Sequence, residues 1–184
     1  MTSYLQPDVV LRNYFHAKDE NRTHVLGSAF VPAAELAVVN ETSTIEFPAR
    51  TVGREAIADV LVRDFGRTYE NVYSFYLGRP AGALLEFECP WLVAMSEKQS
   101  RSTRVGCGRY FWVFDRSITG LATRLTITID AMQVLPSSEL AAVLEWVGRL
   151  SYPWCSASSA LRSMPEHEAL APVAKHLRGY EGSD

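Results

Sequence analysis

Histidine and cysteine are scarce in this chain, and their spacing does not suit a metal. The 184 residues include four histidines, His16, His24, His167 and His176, and three cysteines, Cys89, Cys107 and Cys155. No His-x-x-x-His pair, Cys-x-x-Cys pair or mixed cluster occurs, so no metal site is expected. Three cysteines cannot all pair with one another; they are expected as free thiols in a reducing cytoplasm. No apolar run has membrane-spanning length, and no charged segment followed by an apolar one opens the chain, so no membrane partner is expected. There is no G-x-S-x-G nucleophile elbow. Gly78 to Gly82 is interrupted by Pro80 and reads as a turn, not a phosphate loop, so no nucleotide cofactor is implied. Eighteen basic and 21 acidic residues give a formal charge of −3, which offers nothing to nucleic acid. Internal repeats, heptads and low-complexity tracts are absent.

What is present is a large apolar fraction with clear periodicity. Hydrophobic residues make up 47% of the chain, enough for the core of one domain. Residues 105 to 135 carry the strongest pattern. Gly108, Tyr110, Trp112 and Phe114 alternate with Arg109, Phe111, Val113 and Asp115; after a turn at Arg116 to Gly120, Leu125, Ile127 and Ile129 alternate with Thr126, Thr128 and Asp130. This predicts two long antiparallel strands, with Gly120 where a positive φ is easiest. Leu125, Ile127 and Ile129 should face the helices.

Upstream, Pro7 and Asp8 open a helix to about Glu20, with Val10, Leu11, Tyr14, Phe15 and Ala17 on one face. Thr23 starts a second short helix that Pro32 ends. Short strands are expected at Leu36 to Val39 and Thr44 to Phe47. A third helix runs from Arg54 to about Tyr69, with Ile57, Val60, Leu61 and Phe65 inward and an Asp59–Arg63 pair on its wet face. Strands follow near Asn71 to Leu77 and Ala83 to Glu88, then a kink at Cys89 and Pro90, then a strand from Trp91 to Lys98. A last amphipathic helix spans Pro136 to about Leu150, with Leu140, Val143, Leu144 and Val147 on one side. The order predicts an α+β fold: a curved, mostly antiparallel sheet with helices on one face.

Several landmarks resemble the SnoaL-like branch of the nuclear-transport-factor-2-like superfamily. They are Tyr14-Phe15 with Ala17, Phe30, the run Val52-Gly53-Arg54-Glu55-Ala56-Ile57, the pattern Gly108-x-Tyr110-x-Trp112-x-Phe114, and Ile127-x-Ile129-Asp130. The resemblance covers roughly residues 8 to 135. It implies a conical half-barrel wrapped around N-terminal helices, a deep apolar pocket, no cofactor, and dimerisation through the sheet's outer face. Residues 1–136 then form the cone and 137–184 a helical extension packed on the same domain. The superfamily holds isomerases, dehydratases, cyclases and non-catalytic binders, so the fold alone does not choose among them.

In ketosteroid isomerase a first-helix tyrosine and a neutral aspartic acid donate to a developing enolate, while another aspartate moves the proton. By resemblance Tyr14 falls at the first donor's place and Tyr110 near the second's. Either can instead be a packed aromatic. The base does not carry over: Val38 and Val39 stand where the aspartate belongs. Residues 71 to 76 read Asn, Val, Tyr, Ser, Phe, Tyr, without the histidine of the dehydratase-like pattern. His16 and His24 are the remaining candidates for a base, if they point in at the pocket mouth. Tyr73, Phe75, Trp91, Met95, Glu97 and Trp112 are expected to line the cone, Glu97 as a strand-end charge or a pocket carboxylate. Lys98, Arg101 and Arg104 form a basic loop, either solvated or an anion site.

Two functions stay open: a cofactor-free isomerase, dehydratase or cyclase acting on a small hydrophobic molecule, or a non-catalytic homodimeric ligand-binding or protein-interaction module. The extension carries too many large apolar residues to be disordered. It is expected to dock over the cone's mouth or onto a partner subunit, with Trp154 as an anchor.

Overall fold

A computed structural model describes residues 5–116 and 119–182. Among them one six-stranded sheet is built from β1 (Phe30–Asn40), β2 (Arg50–Val52), β3 (Tyr69–Tyr76), β4 (Glu86–Glu97), β5 (Thr103–Phe114) and β6 (Ala122–Leu135). The strand order is β2-β1-β6-β5-β4-β3. Only the β1–β6 pair is parallel. The fold is α+β, as the pattern of residues predicts.

Helix α1 (Pro7–Asp19) starts with a proline at its first turn and Asp8 at the positive end of its dipole. Val10, Leu11, Tyr14 and Phe15 lie on its buried face, against the concave side of the sheet. A short 3-10 helix (Thr23–Ser28) follows. Gly53, at φ +94°, turns the chain into α2 (Arg54–Ala58), which continues through a π-helical turn (Asp59–Asp64) into α3 (Phe65–Thr68). The expected Asp59–Arg63 pair forms at 2.6 Å on its exposed side. Leu125, Ile127 and Ile129 are buried in the same inner cluster as α1. The β5–β6 hairpin has Gly120 at φ +69°; Ser117 and Ile118 of the expected turn lie outside the described residues.

Sheet curvature comes from register breaks. Gly108 faces Ile129 and Cys107 faces Ala131, so Asp130 bulges out of the β5–β6 ladder. A Cβ at Gly108 would come within 1.9 Å of the Thr128 carbonyl oxygen and 2.8 Å of the Trp91 ring. Only glycine fits where the bulge presses the strands together.

Three expectations are corrected. Pro32 does not end a helix but lies within β1, in the gap between Phe30 and Glu35 where the ladder to β6 is interrupted. A proline there leaves no ladder bond unmade. Thr44 to Phe47 is not a strand; β2 forms instead at Arg50–Val52 and pairs with Glu35 to Ala37. Nor does β4 break at Cys89 and Pro90, because its ladder to β5 is continuous through both. Pro90 accepts from the Leu77 N–H at 2.9 Å, just past the last β3–β4 pair, so its missing N–H costs only a bond at the end of that ladder.

The C-terminal segment packs on the chain's own sheet, away from the mouth of the cone. Helices α4 (Leu140–Gly148), α5 (Ala157–Arg162) and α6 (Ala171–Arg178) pack on the convex face of the chain's own sheet. Phe75, Leu77, Leu92, Ala94, Val105 and Cys107 supply that face, and Val143, Trp146, Ala160, Val173 and Leu177 cover it. Leu140 and Leu144 are only half-buried; Trp146 takes the buried position and donates to the Ala160 carbonyl at 2.9 Å. Burying each such side chain stabilises by roughly 1.5–3 kcal/mol. Trp154 anchors the free edge of β3: Tyr76 donates its N–H to Pro153 at 2.8 Å, and Cys155 donates back to Tyr76 at 3.1 Å.

Candidate functional site

The concave face of the sheet and the helices enclose a cavity of about 50 Å³. Helix α1 contributes Tyr14 and Lys18, one helical turn apart and therefore on one face. Leu61 and Phe65 come from the π-helical turn and α3, Val38 from β1, and Ile45 and Phe47 from the segment after it. Ser74, Trp91, Val93, Met95, Tyr110, Ile127, Ile129 and Met132 complete the wall from the sheet. No carboxylate and no imidazole lines it among the described residues.

Its polar groups are few and mostly donors. Tyr14 is fully buried, and its hydroxyl makes no well-formed hydrogen bond among the described residues; neither does the Trp91 indole N–H. Burial drives the Tyr14 phenol far above its ordinary range, the Asp19 charge adds to this, and a long contact with the neighbouring Tyr110 hydroxyl, which acts as a weak hydrogen bond, works in the opposite sense. Tyr110 is raised by burial first, then by Tyr14 and Asp19. Both phenols are therefore neutral donors at any physiological pH. Tyr76, also buried, is not part of the cavity wall: it stacks on Phe15 at 3.9 Å and donates to the Leu11 carbonyl.

At one side the cavity meets a buried ionic network. Lys18 is 7% exposed and donates to Asp19 Oδ1 at 2.7 Å and to Ser74 Oγ at 2.8 Å. Ser74 passes the contact on, donating its hydroxyl to Asp19 Oδ1 at 2.8 Å and its N–H to Oδ2 at 2.9 Å. From the C-terminal segment, Tyr152 donates to Asp19 Oδ2 at 3.3 Å. A lysine so deeply buried is tolerated because its charge is matched and its donors are directed. The Lys18 ammonium also lies 4.8 Å from the Phe65 ring centre.

One segment lies across the mouth of the cone. Phe47 stacks near Phe65, with ring centres 6.5 Å apart, and Ile45, Phe47 and Phe65 also wall an outer hollow of about 240 Å³. Residues 41–49 form neither helix nor strand. They are held by Asn40 donating to the Ile45 carbonyl at 2.7 Å, by Thr44 donating to Met132, and by Arg104 donating to Thr44.

Of the residues singled out from the sequence, Tyr14, Tyr110, Trp91 and Met95 meet at this cavity. Trp112 is fully buried behind them, edge-on to Tyr14 at 5.2 Å, and packs rather than lines. Tyr73 and Phe75 are corrections: Phe75 belongs to the convex-face cluster under Tyr152, and Tyr73 is exposed. The cause is a bulge at Asn71 and Val72, where Asn71 takes φ +54° and the alternation of β3 is reset so that Ser74 and Tyr76 point inward. Glu97 lies at the end of β4, held below the usual carboxylate range by the Ser100 hydroxyl first, then Arg104 and Ser102. Neither histidine enters. His16 is exposed beside Glu20, and His24 is exposed on the 3-10 helix. The loop cations are engaged: Arg101 with Glu70, Arg104 with Glu97, Lys98 with the Gly66 carbonyl.

Lys18, Asp19 and Ser74 escaped the sequence reading. A charged pair ending a helix looks like solvated surface. The one available signal was position: Lys18 falls four residues after Tyr14, on the apolar face.

Other chemistry is not built here. Cys89 is raised by burial, and burial pushes the Cys107 thiol up to about 12 with Asp130 adding to it, so neither is a ready nucleophile. No group of metal-holding side chains exists among the described residues, and no helix among them is long and apolar enough to cross a membrane. A larger, open hollow of about 910 Å³ lies between β4 and the C-terminal helices. Of its three arginines, Arg79 and Arg149 are paired with Asp8 and Glu145, Arg162 stands at the end of α5, and the hollow lies outside the cone.

No protein-family model and no curated protein matches the chain. Solved structures do. A nuclear transport factor 2 (NTF2-like) superfamily protein from Salmonella enterica serovar Typhimurium is 14% identical, with a TM-score of 0.54 over 67% of this chain and 88% of that one. A type 2 hexachlorocyclohexane dehydrochlorinase, LinA, is 14% identical, with a TM-score of 0.56 over 69% and 84%. A protein with a ketosteroid isomerase-like fold from Catenulispora acidiphila, in complex with trimethylamine, is 15% identical, with a TM-score of 0.51 over 67% and 85%. At these identities the likeness is one of fold. The chain has the nuclear-transport-factor-2-like, ketosteroid isomerase-like cone fold.

Proposed function

We propose that this protein binds a small hydrophobic molecule inside the cone. The observation that carries the reading is the Tyr14 hydroxyl: fully buried, with no well-formed hydrogen bond beyond the neighbouring Tyr110 hydroxyl, and facing a mostly apolar cavity. A buried donor left unpaired costs about 1–3 kcal/mol, which a ligand oxygen would relieve. Among the described residues the wall holds no carboxylate or histidine to move a proton, and Lys18 is tied to Asp19 and Ser74, so binding is favoured over turnover.

A volume of about 50 Å³ admits a few waters, not an aromatic ring. Engineered apolar cavities that take benzene have about 150 Å³. Displacing Phe47 would join the cavity to the outer hollow it now separates, so binding includes opening of residues 41–49. We also propose, from three free cysteines, a reducing compartment. A homodimer is proposed through the part of the convex face that the C-terminal helices leave uncovered, where Phe111 and Val113 are half-buried and Val39 is 45% exposed.

Acetophenone titrated into the protein should quench tryptophan fluorescence saturably, through Trp91 in the wall. Val38→Phe, which fills the cavity, should abolish the effect. Equal quenching in wild type and variant would place the ligand elsewhere and end this reading.

A further inference from the structure

We propose that the open hollow between β4 and the C-terminal helices is a second ligand site, for a hydrophobic monocarboxylate whose head group meets Arg162 and Ser159. The inference is independent of the binding reading for the cone.

The hollow lies at the seam of two cores. Phe87 and Trp154 pack against the inner cluster of the cone, Leu150 and Tyr180 against the cluster under the extension. All four line the hollow, and all four are only half-buried. Its volume is about 910 Å³, against about 50 Å³ in the cone. Small-molecule sites have about 300–1,000 Å³. An organic body laid over these side chains would take apolar surface out of water.

One wall supplies donors. Ser159 and Arg162 stand three residues apart on α5, hence on one face, and both line the hollow. Ser159 Oγ accepts from the Ser156 hydroxyl at 2.9 Å, and its own proton has no acceptor among the described residues. Arg162 has no ion pair among the described residues, unlike the other two arginines of the lining. A guanidinium presents its N–H groups as a planar fork that fits the two oxygens of a carboxylate. One of those oxygens has a further lone pair for the Ser159 hydroxyl.

Charge fixes the head group. Arg79 already has Asp8 and Arg149 has Glu145, and Glu88 adds an exposed carboxylate to the lining. One cation is therefore left to be matched. A monocarboxylate balances it. A phosphate dianion would bring a second charge that no unpaired cation of the lining meets and that Glu88 repels. An organic cation would face Arg162 itself.

The test compares 2-naphthoate with 2-naphthamide, its neutral match in shape, and with 2-naphthyl phosphate. Affinities are measured by calorimetry with wild type, Arg162→Gln, Ser159→Ala and Val38→Phe. Arg162 is exposed, so its loss should leave the fold intact. Wild type should bind 2-naphthoate about fivefold or more tighter than 2-naphthamide, the effect of one charge-assisted pair at a wet site. Arg162→Gln should abolish that preference and leave 2-naphthamide affinity unchanged, and Ser159→Ala should narrow it. Val38→Phe, which fills the cone, should change nothing. Equal binding of acid and amide, or binding of neither, would overturn the site. A preference that survives Arg162→Gln, or is indifferent to Ser159→Ala, would overturn the head-group assignment. Loss of 2-naphthoate binding in Val38→Phe would place the anion in the cone and end the inference. Tighter binding of the phosphate than of the carboxylate would overturn the ligand class.

Discussion

The Lys18 ammonium donates to the Ser74 hydroxyl across 2.8 Å, tying α1 to β3 inside the cone. Asp19 closes the network and takes a further bond from Tyr152 on the C-terminal segment. The polar side of the cavity and the extension therefore share one carboxylate.

That arrangement makes Asp19 costly to remove. Asp19→Ala leaves a buried ammonium unmatched and should destabilise by about 3–5 kcal/mol. Lys18→Met/Asp19→Asn removes both charges and should cost clearly less. Urea unfolding of the two variants checks this; equal losses would show that the charges are not coupled.

Gly108 should tolerate no side chain. A Cβ there would stand 1.9 Å from the Thr128 carbonyl oxygen, a backbone atom fixed by the ladder. Gly108→Ala should lower stability by about 1–3 kcal/mol through overpacking at the bulge. A melting temperature equal to wild type would mean that β6 can move aside.

Removing residues 151–184 should expose the convex face rather than the cone. Phe75, Leu77 and Leu92 would lose the cover of Ala160, Val173 and Leu177. We expect aggregation on expression. A truncated chain that stays monodisperse by light scattering would show that α5 and α6 add little to the core.

His176 should set an acid limit. Burial lowers its folded-state pKa, and Arg109 lowers it further, against the raising effects of Asp130 and the Gly108 backbone. The unfolded chain then binds the proton more readily than the folded one. Stability is full above roughly pH 6.5 and is lost as the pH falls from there toward the depressed folded value. In His176→Gln, the decline between about pH 6.5 and 5 should be shallower than in wild type, as read by urea midpoints. Parallel curves would remove His176 from the acid response.

Much of this molecule can be read from local pattern. Alternation in residues 105 to 135 specifies both long strands and the inward register of Leu125, Ile127 and Ile129, because a one-residue slip would turn all three to solvent. The apolar face of α1 places Tyr14 correctly, and Gly120 marks the hairpin turn. These features depend on neighbours within a turn or a pleat, so periodicity reveals them.

What tertiary structure alone decided is which side each strand shows after a break and what covers it. The bulge at Asn71 turns Phe75 away from the cone and Ser74 into it. Pro90 passes through β4 because it stands where the β3–β4 ladder ends, while the ladder to β5 runs on. The last three helices close over the convex face, a surface assembled from β3, β4 and β5 that no single segment displays. Lys18, charged and near a helix end, looks solvated until Asp19 and Ser74 meet it 2.7 and 2.8 Å away. A buried charge is stable only with its partners present. One of these partners comes from the far side of the sheet fold, so its burial has no signature in the sequence around it.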